Sequence, residues 1–197
     1  DHIDGEGSTL AVDFNSFRSK IHHTQYGAQR VKDGIVDRFR DQTGERPSVD
    51  LHQPDLRINV YVKHNQAIVS IDLSGESLHK RGYRVTTTAA PLKEHLAAAI
   101  LMTADWANLA KQGWSLIDPM CGSGTFLIEA ATMAADIAPG LQRDYFGFLY
   151  WKQHDKDVWK QLKAEAERRR QSGLSRLPFI IFVYSDVAAV NAARDKI

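Results

Sequence analysis

Hydrophobic residues in the first half of the chain recur with helical spacing. Between residues 25 and 43, Ala28, Val31, Ile35 and Phe39 fall on one face of a helix. Gly44 follows directly, and glycine suits the left-handed residue that commonly closes a helix. The pattern therefore predicts an amphipathic helix over residues 25–43.

Strict alternation of apolar and polar residues follows this predicted helix. Leu56–Lys63 and Ala67–Leu73 alternate in this way, and the short segment His64–Gln66 between them fits a hairpin connection. Strands that are half polar are typical of a sheet with one buried face. We therefore predict an α+β module in the first half of the chain.

The second half has a different pattern. Pro91 suits the first turn of a helix, and five residues continue that helix at helical spacing, namely Leu92, Leu96, Ala99, Ile100 and Thr103. The remaining predicted elements are a strand at Ser115–Asp118, a helix at Thr125–Ile137, a helix at Val158–Gln171 that ends at Gly173, and a strand at Phe179–Tyr184. Apolar strands separated by helices indicate an α/β fold with a buried parallel sheet covered by helices.

Composition and charge narrow the class of protein. The 197 residues contain 25 Lys and Arg against 24 Asp and Glu, so the formal net charge is +1, which excludes a histone-like nucleic-acid binder. The single cysteine, Cys121, fits a reducing compartment, and no apolar stretch is long enough to cross a bilayer. We therefore expect a cytoplasmic protein without membrane contact. The chain begins at Asp1 and stops within a helix-like pattern after Ala188, so we interpret it as a piece of a longer protein.

A glycine-containing loop between a predicted strand and a predicted helix is the most informative candidate for a ligand-binding site. Residues 118–126 read Asp-Pro-Met-Cys-Gly-Ser-Gly-Thr-Phe. This is not a phosphate-binding Walker A loop, because no lysine follows Gly124, and it lacks the third glycine of the dinucleotide fingerprint. Asp186, after the second strand, could accept hydrogen bonds from ribose hydroxyls. A tight structural turn and an N-cap at Asp186 explain the same residues without a ligand.

Longer stretches of the sequence resemble a known family. The stretches are Asp118–Ala130, the run Leu73–Arg84 that ends in Arg-Gly-Tyr-Arg, and Ala90–Ala99. Together they resemble the THUMP-containing RNA guanine-N2 methyltransferases, a branch of the class I methyltransferases, and within it the bacterial enzymes that act on 23S rRNA. In some bacteria such an enzyme is fused to a second methyltransferase. The resemblance extends over the whole chain.

This resemblance implies a fold and a cofactor. The fold would be part of a THUMP RNA-binding domain over residues 1–82, followed over 83–197 by part of a Rossmann-like class I methyltransferase sheet. Asp118 would order the loop, Asp186 would hold the ribose, and Pro91 and Lys93 would line the other side of the cofactor. Four loop residues would wrap the methionine end of S-adenosylmethionine, namely Gly122, Ser123, Gly124 and Thr125.

Two departures from the family pattern are visible in the sequence. The family has a glycine two residues before the ribose-binding acid and an acid two residues after it, where this chain has Tyr184 and Ala188. The Asn/Asp-Pro-Pro-Tyr/Phe catalytic motif is absent, since no two prolines are adjacent. We therefore expect no catalytic residue in this chain and no activity from it alone.

The expected partners are 23S rRNA or an assembly intermediate of it, and the missing C-terminal portion of the same protein. RNA contact by the basic first helical region, through Arg18, Lys20, Arg30 and Lys32, is a hypothesis resting on the resemblance. Interleaved aspartates favour an ordinary solvated helix face instead. We expect no metal site, because the adjacent histidines at 22 and 23 lack a second ligand pair at zinc spacing.

An aromatic stretch between the glycine loop and Asp186 allows two interpretations. Its residues, from Tyr145 to Trp159 and the arginines 168–170, could contact unpaired bases, but an inserted cover that packs on the domain is favoured. For the whole protein, three rival functions remain: a tRNA guanine-N2 methyltransferase, a non-catalytic RNA-binding module, and a nicotinamide-dependent dehydrogenase, which the incomplete glycine fingerprint disfavours.

Overall fold

The computed structural model describes residues 7–84 and 92–182, which form two compact units. The first unit contains the residues up to Glu76 together with Asp144–Lys156. The second contains Ser77–Arg143 and the described part of the chain from Asp157 onwards. Within these described ranges, each unit has its own sheet and hydrophobic core, with one helix in the first unit and several in the second.

A four-stranded sheet with one helix forms the first unit. Its elements are β1 (Thr9–Phe17), α1 (Thr24–Thr43), β2 (Ser48–Val49), β3 (Leu56–Lys63) and β4 (Gln66–Ile71). The strand order is β2-β1-β3-β4, in which β1 runs parallel to both β2 and β3, and β4 is antiparallel to β3. The predicted helix, the predicted hairpin and the α+β class are confirmed. Strand β1 was not predicted, although it lies at the centre of the sheet.

One face of this sheet is covered by α1. The core residues are Phe14 of β1 and four residues of β3, and the predicted apolar face of α1 packs against them. Gly27 permits this contact, because a Cβ at that position would lie 2.6 Å from the Phe14 ring. Gly44 closes α1 in the left-handed conformation, with a φ of 79°. The expected one-sided burial holds for β3, whose residues alternate between buried and more exposed positions.

In the long segment after the glycine loop, some residues pack against other parts of the chain and others form ion pairs. Tyr145 donates a hydrogen bond to the carbonyl of Pro54 at 2.6 Å, within the first unit. Gly147 lies against the Asp72 carbonyl, where a Cβ would not fit. In the second unit, Arg169 forms two short hydrogen bonds with Asp136. Tyr145 and Gly147 thus have a packing role, but within the first unit and not on the domain in which the sequence places this stretch.

The second unit has a small parallel sheet with helices. Its elements are α2 (Glu94–Thr103), α3 (Trp106–Lys111), β5 (Leu116–Asp118), α4 (Thr125–Ala134), α5 (Lys156–Leu174) and β6 (Ile180–Phe182). Strands β5 and β6 are parallel, as predicted, with Ile117 opposite Ile181. The core is built on Leu101, Trp106 and Ala130, and the Trp106 indole N–H donates to the Ala130 carbonyl at 2.9 Å.

Three predictions for this unit need correction. The sheet is not buried on both faces, since Ile117 and Ile181 are exposed in the described part of the chain. On α2, the predicted apolar stripe is exposed at Leu96 and Ile100, and the buried positions are Glu94, Ala97 and Leu101. α5 ends at Leu174, one residue beyond the predicted stop at Gly173, and the Ala135 carbonyl approaches Gly173 so closely that no Cβ would fit.

Candidate functional site

The glycine loop joins the end of β5 to the start of α4, as predicted. Gly122 and Gly124 have φ values of 51° and 74°, a left-handed conformation that L side chains rarely adopt. The Gly124 amide donates to the Cys121 carbonyl at 2.8 Å, which closes the turn. Asp118, the last residue of β5, accepts a hydrogen bond from the Met120 amide at 3.0 Å. The loop is thus held in a defined shape by one backbone hydrogen bond and by the Asp118 carboxylate.

Loop residues line a cavity of about 510 Å³. Its walls include Asp118, Gly122, Ser123 and Thr125, together with Leu92 from the segment before α2. A Cβ added at Gly122 would meet no other atom within 4 Å. The open space beside this backbone leaves room for a ligand to approach it closely.

Polar groups at the start of α4 are buried and oriented. Ser123 and Thr125 are nearly inaccessible to solvent, and their hydroxyl oxygens lie 3.3 Å apart. Gly124 occupies the N-cap position of α4 and provides no side-chain cap. The amide groups of the first helical turn and the helix dipole both favour a ligand with negative or electron-rich groups at this end.

An arginine not predicted as a site residue connects the loop to α2. The Arg84 guanidinium donates to the Glu94 carboxylate at 2.9 Å, to the Leu92 carbonyl at 2.9 Å and to the Thr125 hydroxyl at 3.1 Å. Leu92 and Thr125 are both walls of the cavity, so one side chain fixes two of its sides. Burial opposes ionisation of Glu94, but hydrogen bonds from its own amide and from Arg84 hold its pKa below the ordinary value.

A second ionic cluster lies against the buried side of α4. Arg81 contacts both carboxylate oxygens of Glu129 at 3.4 Å, and the Tyr83 hydroxyl donates to the same carboxylate at 3.0 Å. Burial and the neighbouring Glu129 charge raise the pKa of Tyr83, so the phenol stays protonated. The run Arg-Gly-Tyr-Arg enters the sequence analysis only through the family resemblance, and no pattern in the sequence predicts these contacts of its two arginines. For Glu129 the sequence holds a signal, since this carboxylate lies among apolar residues of a predicted helix and needs a partner there.

The predicted cofactor residues are brought together in part. Asp118, Gly122, Ser123 and Thr125 share the cavity, and Gly124 shapes the turn beside it. Lys93 is the N-cap residue of α2, and its exposed side chain is not among the cavity walls. Pro91 and Asp186 lie outside the described residues.

The four predicted RNA-binding residues separate into two pairs. Arg18 and Lys20 are exposed in the connection between β1 and α1. Arg30 and Lys32 lie further along α1, where Lys32 forms an ion pair with Asp33 at 2.7 Å. The pairing of Lys32 agrees with the solvated-face interpretation for that part of the helix.

Other chemistries receive no support from the geometry of the described segments. Cys121 is buried, and burial together with the nearby Asp118 charge raises the pKa of its thiol, which disfavours a thiolate nucleophile. Within the described residues, 7–84 and 92–182, no group of three His, Cys, Asp or Glu side chains is placed to hold a metal ion. None of the helices in those ranges is long and apolar enough to span a membrane.

Comparisons with known proteins identify both parts of the chain. A family model described as a THUMP domain matches residues 1–72. Two curated relatives are named ribosomal RNA large subunit methyltransferase K/L, from Methylococcus capsulatus at 56% identity and from Syntrophotalea carbinolica at 52%. They are matched over 98% and 100% of this chain, which spans only 26% and 27% of their lengths.

Solved structures share the fold. A chain described as a methyltransferase complexed with SAH is 32% identical, with a TM-score of 0.78 over 96% of this chain and 48% of its own. A Listeria monocytogenes chain described as a predicted N6-adenine-specific DNA methylase is 29% identical, with a TM-score of 0.75 over the same shares. These matches confirm the α/β fold with a THUMP domain before it. A family model described as an RMKL-like methyltransferase domain matches residues 81–197, more than half of the chain, and the chain therefore belongs to the RMKL-like methyltransferase family.

Proposed function

We propose that this chain forms the cofactor-binding part of an S-adenosylmethionine-dependent methyltransferase that modifies the exocyclic N2 amine of a guanine in 23S rRNA. The observation that carries the proposal is the cavity at the glycine loop, in a chain of methyltransferase family. The solved neighbour complexed with SAH supports the choice of cofactor. The relatives named as large-subunit rRNA methyltransferases support the choice of RNA.

The residues at the loop fit S-adenosylmethionine. A cavity of about 510 Å³ lies within the range of small-molecule sites. The absence of a side chain at Gly122 lets the backbone approach the ligand, and the start of α4 offers amide donors to a carboxylate. Asp118 provides a carboxylate that could hold the ligand's amino group, directly or through water.

Binding and orientation are the tasks that the chain's own residues would perform. S-adenosylmethionine supplies an electrophilic methyl group, and transfer to an amine depends mainly on holding the two groups in line. Arg84 would keep Leu92 and Thr125 in place around the ligand. The Asn/Asp-Pro-Pro-Tyr/Phe motif is absent from the 197 residues. We therefore propose that the chain binds the cofactor but does not transfer the methyl group by itself.

The remaining assignments follow from the same proposal. Residues 1–82 would form a THUMP RNA-binding domain and residues 83–197 part of the methyltransferase domain. The proposed partners are 23S rRNA and further parts of the same protein, and the proposed location is the bacterial cytoplasm, where ribosomes are assembled. Asp186 and Pro91 remain proposed cofactor contacts.

Methyl transfer to defined RNAs tests the proposed function. The full-length protein that carries this sequence is incubated with S-adenosylmethionine labelled in the methyl group and with 23S rRNA, tRNA or duplex DNA. We expect label in 23S rRNA alone, recovered as N2-methylguanosine after nuclease digestion, and no label with the 197-residue chain. Absence of labelled N2-methylguanosine from the 23S rRNA, or label in tRNA or DNA instead, would refute the proposed substrate.

A further inference from the structure

The face of the first sheet that α1 does not cover carries aromatic side chains. We define the outer sheet face by Asn15 and Phe17 of β1, Asn59, Tyr61 and Lys63 of β3, and Ile68 of β4. The strand register pairs Phe17 with Lys63, Asn15 with Tyr61, and Tyr61 with Ile68, so these side chains share one face. The neighbouring β3 residues, Val60 and Val62, point to the opposite side and are buried under α1.

Large apolar side chains on this face are open to solvent. Phe17 is 49% exposed, Tyr61 is 37% exposed and Ile68 is 63% exposed. Phe17 and Tyr61 belong to neighbouring strands and are offset by two residues, which places them roughly 8 Å apart by strand geometry. Clustered exposed rings of this kind mark an interaction surface more often than an inert one.

Positive charge accompanies the two rings. The guanidinium of Arg18 lies 5.2 Å from the centre of the Phe17 ring, in cation–π contact. Lys63 lies directly opposite Phe17, and the Lys20 amide donates to the Asn65 side chain at 2.8 Å. This hydrogen bond and that of Ser19 to Asn65 at 3.2 Å fasten the two basic turns together.

Acidic residues are rare around this surface. Neither residues 14–32 nor residues 56–71 contain an Asp or Glu, although the chain has 24 of them in 197 residues. Asp13, which precedes the first of these segments, is paired with Arg57 at 3.0 Å. The surface therefore combines exposed rings, amide side chains and unbalanced positive charge.

We propose that the outer sheet face binds unpaired RNA, with bases stacked on Phe17 and Tyr61 and phosphates contacted by Arg18, Lys20 and Lys63. Rings and cations on an open sheet face are suited to single strands, because every base offers a flat face and every nucleotide a negative charge. A purely apolar partner would gain nothing from the lysines and arginine at the rim. The proposal rests on the proposed function, since it assigns the RNA-binding surface of the same enzyme.

Binding of a fluorescently labelled, single-stranded oligouridine to the full chain tests this inference. Fluorescence anisotropy would be measured for the wild type, for Phe17→Ala, Tyr61→Ala and the double variant, and for Phe17→Leu. Tyr26→Ala is the matched control, because Tyr26 is an exposed ring on α1. We expect about a tenfold loss of affinity for each ring removed, nearly the same loss with Phe17→Leu, and no loss with Tyr26→Ala.

Other results would overturn the inference. The inference fails if every variant, including Tyr26→Ala, loses the same affinity for RNA. It also fails if the double variant keeps its affinity or if the wild type does not bind RNA. A shift from dimer to monomer in the double variant, without a change in RNA affinity, would assign the face to a second copy of the chain. Titration of the same variants with S-adenosylhomocysteine distinguishes failure of this RNA-binding inference from failure of the proposed function. Cofactor binding should be unchanged in these variants, since the cofactor cavity contains none of the substituted residues.

Discussion

Arg84 shows how one side chain can organise the cofactor cavity. Its contacts reach a carboxylate on α2, a carbonyl before α2 and a hydroxyl at the start of α4. The Arg84 and Glu94 side chains are 18% and 6% exposed, so their charges interact with little screening by solvent. Removal of either charge therefore leaves the other buried without its partner.

The substitution Arg84→Ala is expected to lower both stability and ligand affinity. Loss of one partner of a buried ion pair costs about 3 kcal/mol, which urea denaturation followed by circular dichroism would measure. Arg169→Ala is the control, because Arg169 and Asp136 form an exposed pair whose charges are screened by solvent. Arg84→Lys should recover part of the stability but less of the affinity for S-adenosylhomocysteine, since the single ammonium nitrogen of lysine cannot reach the acceptors that two separate guanidinium nitrogens contact. Equal effects of Arg84→Ala and Arg169→Ala would contradict this role.

Glu94 makes the stability of the second unit depend on pH. Its pKa in the folded protein lies below the ordinary value of 4.5, so its ionic contribution is complete above that pH and is lost as the pH falls through the folded pKa. Between about pH 5 and pH 3, the free energy of unfolding should therefore fall more steeply in the wild type than in Glu94→Gln. Urea denaturation at several pH values measures both slopes, with exposed Glu45→Gln as the control. Parallel slopes in the wild type and Glu94→Gln would show that Glu94 is not the responsible group.

At the scale of single elements, two glycines of α1 have opposite roles. A Cβ at Gly27 would meet the Phe14 ring at 2.6 Å, whereas a Cβ at Gly34 would meet nothing within 4 Å. Gly27→Ala should therefore destabilise the first unit by about 1–3 kcal/mol through overpacking. Gly34→Ala should stabilise it by about 0.5–1 kcal/mol, because alanine favours the helix. Thermal unfolding of both variants measures the difference, and a gain of stability in both would show that α1 does not pack closely on Phe14.

Periodicity was sufficient to predict α1 and β3, in each of which one face packs against the core. It also located β4 beyond the two-residue turn at His64 and Asn65, although the predicted buried face is absent there, since five of the six β4 residues are exposed and Ile71 is half-buried. It missed β1, because Leu10 and Ala11 are both buried and interrupt the alternation. It assigned Gly173 to the end of α5, but glycine is needed there because the Ala135 carbonyl lies against it. This contact joins residues far apart in sequence, so periodicity does not reveal it.

The candidate site was predictable only where it is local. The glycine loop is one continuous run at a strand-to-helix junction, and its position agrees with the prediction. The bonds of Arg84 to Thr125 and of Arg81 to Glu129 join residues 41 and 48 positions apart. The apolar neighbours of Glu129 in sequence indicate that it needs a partner, but no periodic pattern identifies which residue that partner is.

For the whole molecule, charge is distributed unevenly although the total is balanced. The formal net charge of +1 gives no general attraction to RNA, so binding must depend on local surfaces such as the outer sheet face. Removing a lysine that pairs with one phosphate should reduce the slope of log affinity against log salt by about 0.7 for single strands. We expect this reduction for Lys63→Ala and none for Lys111→Ala, a lysine of the second unit, in anisotropy titrations at several salt concentrations. An unchanged slope for Lys63→Ala would show that this lysine does not bind RNA phosphates.

The central claim is that the glycine loop binds S-adenosylmethionine, and calorimetric titration with S-adenosylhomocysteine tests it most directly. Gly122→Ala and Gly113→Ala are a matched pair, because both positions have positive φ and open space at Cβ, while only Gly122 borders the cavity. Both should cost similar stability through backbone strain, of about 1–2 kcal/mol. We predict saturable binding by the wild type and by Gly113→Ala, and at least about a tenfold loss, or 1.4 kcal/mol, with Gly122→Ala. Equal affinity in both variants, or no binding by a folded wild-type chain, would contradict the account.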